Sequence, residues 1–185
     1  MNVGNVINLV LALMNMRIST LALVATMIAL TTSFTSCTSS KPYRYELKYG
    51  ESVILRNGYA VAPRHAPPEV HHIVAAGNNI KGLPYKIGGG HKRVDDNGYD
   101  CSGAVSYVLI KAGLLNGPLT SKGFRNYGRR GKGDWVTLYA KNGHTFIVVG
   151  GLRFDTGYNG EGRGPSWTIN DRPTRGHVMR HPVKL

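Results

Sequence analysis

Residues 144–156 hold the feature that most constrains the fold, a run of alternating side chains broken by paired glycines. Val149-Gly150-Gly151-Leu152 reads as a two-residue hairpin turn, because glycine accepts the positive φ angles such a turn demands. That register sets Val149 opposite Leu152, Ile147 opposite Phe154 and Phe146 opposite Asp155. One face then carries Thr145, Ile147, Val149, Leu152, Phe154 and Thr156, which is a core face. The other carries His144, Phe146, Val148, Arg153 and Asp155. Further strand signals lie at residues 135–139 and 177–180. Upstream, Pro68-Glu69-Val70 opens a helix over residues 68–80, since proline suits a first turn and an acidic residue favours that end. A second helix runs over residues 101–112 and closes at Gly113. Helices first and an antiparallel run afterwards predict an α+β domain, with its N-terminal helices packed on an antiparallel sheet.

The chain is long enough for one such domain and a short extension. It has 185 residues, 42% of them hydrophobic and 18% charged, which excludes a wholly disordered or collagen-like protein. Two cysteines, Cys37 and Cys101, exclude a disulfide-dense scaffold, and no CxxC pair or zinc-finger spacing is present. Residues 18–30 form an apolar run behind Arg17, followed by small polar residues, the pattern of a secretory signal peptide. The run is short for a membrane span of ~20 residues. Met14 or Met16 makes a more conventional start than Met1. Phe34-Thr35-Ser36-Cys37 resembles a lipobox, which makes Cys37 the candidate lipidation site; Phe34 stands where leucine is usual. The expected organisation is a lipoprotein-type signal peptide at 1–36, a tether at 37–67 with a strand near 52–55, and a domain at 68–185. The net charge of +13 loses only Arg17 with the leader. The basicity therefore belongs to the exported part and fits an anionic envelope polymer or a membrane surface.

With Cys37 lipidated, Cys101 has no partner for a disulfide, so it is either a reactive thiol or a buried inert one. Its setting favours reactivity. Asp100 is a good N-cap and places Cys101 at the first helical position, where the backbone N–H groups and the helix dipole favour a thiolate over a thiol of reference pKa ~8.5. Asp100 works against this as a negative charge, so a histidine is needed to complete activation. His144 is the candidate base. Asp155 lies diagonal to it across the hairpin, at a Cβ separation of roughly 7–8 Å or somewhat less. An Asp–His bond there would fix the imidazole tautomer and leave the other nitrogen for the thiol. The bland alternative pairs Asp155 with Arg153 on the same face.

Pro84-Tyr85-Lys86-Ile87-Gly88-Gly89, Asp100-Cys101-Ser102-Gly103, Gly133-Asp134 before a strand and His144 opening a strand together resemble the NlpC family. These are papain-like bacterial cell-wall cysteine peptidases, and the resemblance covers residues 68–155. It implies Cys101 as nucleophile, His144 as general base and Asp155 as the residue that orients the histidine. Many members carry His, Asn or Gln at that third place. It further implies that Tyr85 donates a hydrogen bond in the site, that Asp100 and Ser102 hold the amine of a stem peptide, and that the Cys101 N–H serves the oxyanion. The implied reaction is amide hydrolysis through a thioester in peptidoglycan stem peptides, often between D-glutamate and diaminopimelate. The location is the exported bacterial envelope, either as an anchored lipoprotein or secreted. A catalytically silent envelope-binding lipoprotein and an N-acyl amidase or transferase on the same fold are the alternatives.

No cofactor or metal is expected. His71 and His72 are adjacent on a helix and do not share a face. His91 with Asp95-Asp96-Asn97-Gly98 lacks the calcium-loop pattern and reads as a turn. Gly88-Gly89-Gly90 has no strand–GxxxxGK[ST]–helix setting. The basic residues Arg125, Arg129, Arg130 and Lys132, with those of 172–180, have few aromatics between them. They read as a solvated or polyanion-contacting face, not a nucleic-acid reader. The protein is read as a monomer.

Overall fold

The computed structural model describes residues 41–48, 50–157, 164–183 and 185. The described residues all belong to one compact unit, Cys37–Leu185. The expected signal peptide and Cys37 lie outside the described residues. Among those described, no helix is long and apolar enough to cross a membrane.

Helix α1 (Pro68–Ile80) starts on a proline, whose missing N–H costs nothing in a first turn. It buries Val70, Ile73, Val74, Gly77 and Ile80, one stripe at helical spacing. Helix α2 (Cys101–Lys111) is capped by the Asp100 carboxylate, which accepts from the Gly103 N–H at 2.7 Å. Its apolar spacing predicts a single buried face, yet every residue from Cys101 to Leu109 is buried. The helix is covered all round because α1 packs on one side and the sheet on another. The glycine-rich loop closes over its N-terminus, where a Cβ on Gly103 would sit 1.9 Å from the Gly89 carbonyl oxygen.

A six-stranded antiparallel sheet lies beneath. Its strands are β3 (Arg129–Arg130), β4 (Val136–Lys141), β5 (His144–Val149), β6 (Leu152–Thr156), β7 (Pro165–Thr168) and β8 (Val178–His181). They stand in the order β3-β8-β4-β5-β6-β7. The β5–β6 register is the expected one, with Ile147 opposite Phe154 and Val149 opposite Leu152. Gly150 and Gly151 have φ of 47° and 81°, as the two-residue turn requires. Strands β4 to β7 form a meander, and β8 then crosses to the far side of β4. Thus β7 pairs with β6 while the last strand does not follow it. The α+β architecture is as expected, whereas β3, β7 and the short helix α3 (Ser121–Phe124) are additions to it.

Residues 41–67 differ from the expected tether. Tyr43, Val53 and Ala60 are buried, and Val53 donates its N–H to the Gly150 carbonyl at 2.8 Å. Strands β1 (Ile54–Arg56) and β2 (Tyr59–Val61) form a hairpin whose turn is Asn57-Gly58, with φ of 50° and 78°. Asn78 of α1 holds β2 through both backbone groups of Ala60, each at 2.9 Å. The packed body therefore starts well before Pro68. The strand expected near 52–55 overlaps β1. The Asn-Gly pair was the signal for its partner, but too little alternation surrounds that pair to read as a hairpin.

Candidate active site

Three elements bring the candidate residues together. The Asp100 cap starts α2 at Cys101, which is 7% exposed and is the free thiol among the described residues. The tight turn Asn142-Gly143 makes His144 the first residue of β5. Asp155 comes from the adjoining strand, on the face that the hairpin register gives it. His144 donates from Nε2 to Asp155 Oδ1 at 3.0 Å. The nearby Cys101 thiol also acts on the imidazole and favours its charged form. With Nε2 engaged by Asp155, Nδ1 is the ring nitrogen left for a thiol.

The electrostatics follow from this arrangement. Burial pushes the His144 imidazolium pKa down, but the hydrogen bond to Asp155, the nearby Cys101 thiol and the charge of Asp155 outweigh it. Arg172 opposes them, and the net shift is upward. Asp155 is itself buried and fully engaged. Oδ1 also accepts from the Thr156 N–H at 2.8 Å, while Oδ2 takes the Arg153 guanidinium and, at 3.3 Å, that of Arg172. The Asp–His bond and the Asp155–Arg153 pair therefore coexist, since one oxygen serves the histidine and the other the arginine. Arg172 reaches the site because Tyr43 and residue 172 exchange backbone hydrogen bonds. Nothing in the local sequence signals that long-range bridge.

Tyr85 is 42% exposed beside the site, joined to Tyr99 by a parallel bridge. Its hydroxyl pKa is raised by burial and then by the nearby Cys101 and Asp100, which keeps it a donor. Asp100 has a second task besides capping. Oδ1 accepts from Ser102 Oγ at 3.0 Å and from His91 Nε2 at 3.1 Å, and Oδ2 accepts from the Gly88 N–H at 3.0 Å. Desolvation pushes its carboxyl up, but the hydrogen bonds from Gly103, Ser102 and His91 win and the net shift is downward. His91 also lies 3.1 Å from Ser102 Oγ, so this residue, in a turn as expected, further ties the glycine loop to the start of α2. His71 and His72 sit on α1 and take no part in this site. Beyond His144 a second histidine, His177, stands edge-on to the imidazole, with centroids 6.2 Å apart and planes at 88°.

No protein-family model and no curated protein matches this sequence. Solved structures resemble the fold. A form of the resuscitation-promoting-factor-interacting protein RipA mutated at a cysteine is 23% identical, over 71% of this chain and 70% of its own, with a TM-score of 0.47. The peptidoglycan hydrolase RipB from Mycobacterium tuberculosis is 18% identical over 65% and 70%, with a TM-score of 0.48. A hypothetical invasion protein of Mycobacterium tuberculosis is 22% identical over 71% and 72%, with a TM-score of 0.44.

A thiol near an imidazole whose Nε2 is held by a carboxylate supplies the groups for a nucleophile, a base and an orienting residue. Such a set can attack an acyl carbon. The adjoining helix N-terminus offers N–H groups to the oxyanion that forms.

Proposed function

We propose that this protein is an exported cysteine hydrolase of the NlpC family that cuts amide bonds in the stem peptides of peptidoglycan. The observation that carries the reading is the His144 Nε2–Asp155 hydrogen bond at 3.0 Å, on an imidazole that also feels the Cys101 thiol. The motifs around Tyr85, Cys101 and His144 supply the family and the substrate class. His144 takes the proton of Cys101, and the thiolate adds to the acyl carbon. The tetrahedral oxyanion rests on the Cys101 N–H, and the amine leaves with the proton from His144. Water, deprotonated by the same histidine, then releases the acid from the thioester. Asp155 holds the tautomer, and Tyr85 donates a hydrogen bond at the mouth of the site. Asp100 has its Oδ1 filled by three donors, so any amine it holds is met by Oδ2, with Ser102 alongside. Cys37 is the proposed lipid anchor, resting on the lipobox-like run before it.

The test is digestion of purified muropeptides by the chain from residue 38, read by mass spectrometry. A new amine that depends on Cys101, with activity falling by about 10⁴-fold or more in Cys101→Ala, is the expected result. Equal cleavage by Cys101→Ala, or no new amine at any pH, overturns it. For the anchor, the lipid mass and membrane recovery should vanish in Cys37→Ala.

A further inference from the structure

Several cations of the domain have acidic partners. Lys86 pairs with Asp96, Lys111 with Asp95 and Arg44 with Asp171, while Arg153 and Arg172 share Asp155. The free edge of the sheet at β3 instead gathers cations without any. Arg129 and Arg130 make up that strand and are exposed. The register sets Arg130 beside Arg180 and Arg129 beside His181. Arg180 donates from Nε to the Arg125 carbonyl oxygen at 2.6 Å, which draws a further guanidinium-bearing residue in behind the strand. Among the described residues none of Arg125, Arg129, Arg130 and Arg180 has a carboxylate partner, and the Arg125 Nε is buried without a hydrogen-bond acceptor.

Charge on an edge strand has an ordinary use, since it blocks pairing with another chain. That use accounts for Arg129 and Arg130. It does not account for Arg125 and Arg180, which converge from a separate loop and strand onto the same place. Like charges brought together without counter-charge disfavour one another, and Arg180 feels it. Burial, and then Arg130 and Arg125, hold its pKa below the ordinary guanidinium value. An oxyanion that fits planar N–H forks would relieve this arrangement, and phosphate is the group guanidinium recognises best in that way.

We infer that the Arg125–Arg130–Arg180 cluster is a binding site for phosphodiester groups of a linear anionic envelope polymer. A polymer fits better than a single headgroup because the guanidiniums lie on both faces of the edge. Arg130 pairs with Arg180 on one side, and Arg129 stands on the other. The exposed Lys132 follows two residues further on. The site stands on charge and geometry and does not need the hydrolase reading; that the polymer belongs to the envelope rests on the proposed export.

The experiment measures binding of soluble poly(glycerol phosphate) to the full chain by calorimetry at several salt concentrations. Arms with phosphatidylglycerol vesicles and with inorganic phosphate accompany it. Arg130→Glu and Arg180→Ala should each weaken polymer binding about tenfold or more. Each should also lower the log–log salt slope by about one for every phosphate no longer neutralised. Arg56→Glu, the same charge change on the exposed end of β1, should change binding less than about twofold. Unchanged melting of Arg130→Glu separates lost binding from lost fold. An equal loss in Arg56→Glu would reduce the effect to net charge and overturn the site. Absence of polymer binding overturns it too, and binding to vesicles with none to the soluble polymer overturns the choice of ligand.

Discussion

The proposed base His144 needs one ring nitrogen held and the other free for the thiol, and Asp155 holds Nε2 at 3.0 Å. The carboxylate raises the imidazolium pKa against the effect of burial, so the charged histidine adds stability. That contribution is complete below the unfolded value near 6.5 and fades as pH rises through the higher folded value. Asp155→Asn keeps an acceptor for Nε2 but removes the charge. The His144 titration followed by NMR should move to lower pH. The variant should also lose about 3–5 kcal/mol of stability, because the buried Arg153 guanidinium and the neighbouring Arg172 lose the Asp155 charge. An unchanged His144 titration would remove Asp155 from the proposed triad. His177 has the opposite sign. It is 1% exposed, and burial pushes its pKa down to about 4, helped by Lys141 and, against the pull of the Thr174 backbone, by His144 and Arg172. The unfolded chain binds a proton below about 6.5 that the folded chain refuses until about 4, so stability falls across that window by up to about 3 kcal/mol. In urea unfolding at pH 7 and pH 4.5, His177→Phe should lose clearly less stability than the wild type. Parallel losses would assign the acid sensitivity to other groups.

At the scale of elements, the start of α2 depends on a loop that the sequence shows only as glycines. Gly89 and Gly103 approach at a distance no side chain permits, and Gly90 has φ of 81° with the Tyr99 ring against it. Gly103→Ala would force its Cβ to 1.9 Å from a backbone oxygen, and backbone cannot step aside cheaply. The expected outcome is a loss of about 1–3 kcal/mol and a fall in activity larger than the stability loss alone explains. The thermal melt and the turnover rate, measured together, check it. A fully active variant would show that the loop does not set the position of Cys101. Much of this architecture is legible in the residues themselves. The cap at Asp100, the helix behind Cys101 and the Gly150-Gly151 turn each rest on interactions a few residues apart, and such local rules place the Cys101 helix and the shared face of His144 and Asp155. What is not legible is long-range. His91 reaches Asp100 across a loop, and Arg172 reaches Asp155 through the bridge to Tyr43. Strand β8 lands beside β4, although the sequence offers only its own short apolar run.

For the molecule as a whole, the segment before Pro68 belongs to the fold. Tyr43 packs edge-on to Tyr139 and Phe146 beneath the sheet, with centroids 6.2 and 6.4 Å away. It thereby covers the second apolar cluster, on the sheet face that carries His144 and Asp155. The same residue carries the backbone bridge that positions Arg172. Val53 and Ala60 enter the main core, and Lys81 lies 4.3 Å over the Tyr59 ring to close the hairpin against α1. Burying a side chain such as Tyr43 or Val53 is worth roughly 1.5–3 kcal/mol, so losing the segment removes about 5 kcal/mol. That is comparable with the whole stability of many domains, about 5–15 kcal/mol. A chain beginning at Pro68 should therefore be largely unfolded or aggregated at about 37 °C, while one beginning at Thr38 melts cooperatively, as circular dichroism and size-exclusion chromatography would show. The milder variant Tyr43→Ala should stay folded with a lowered melting temperature. It should also lose activity through Arg172 and Asp155. A melting temperature unchanged by removal of residues 38–67 would return that segment to the status of a tether.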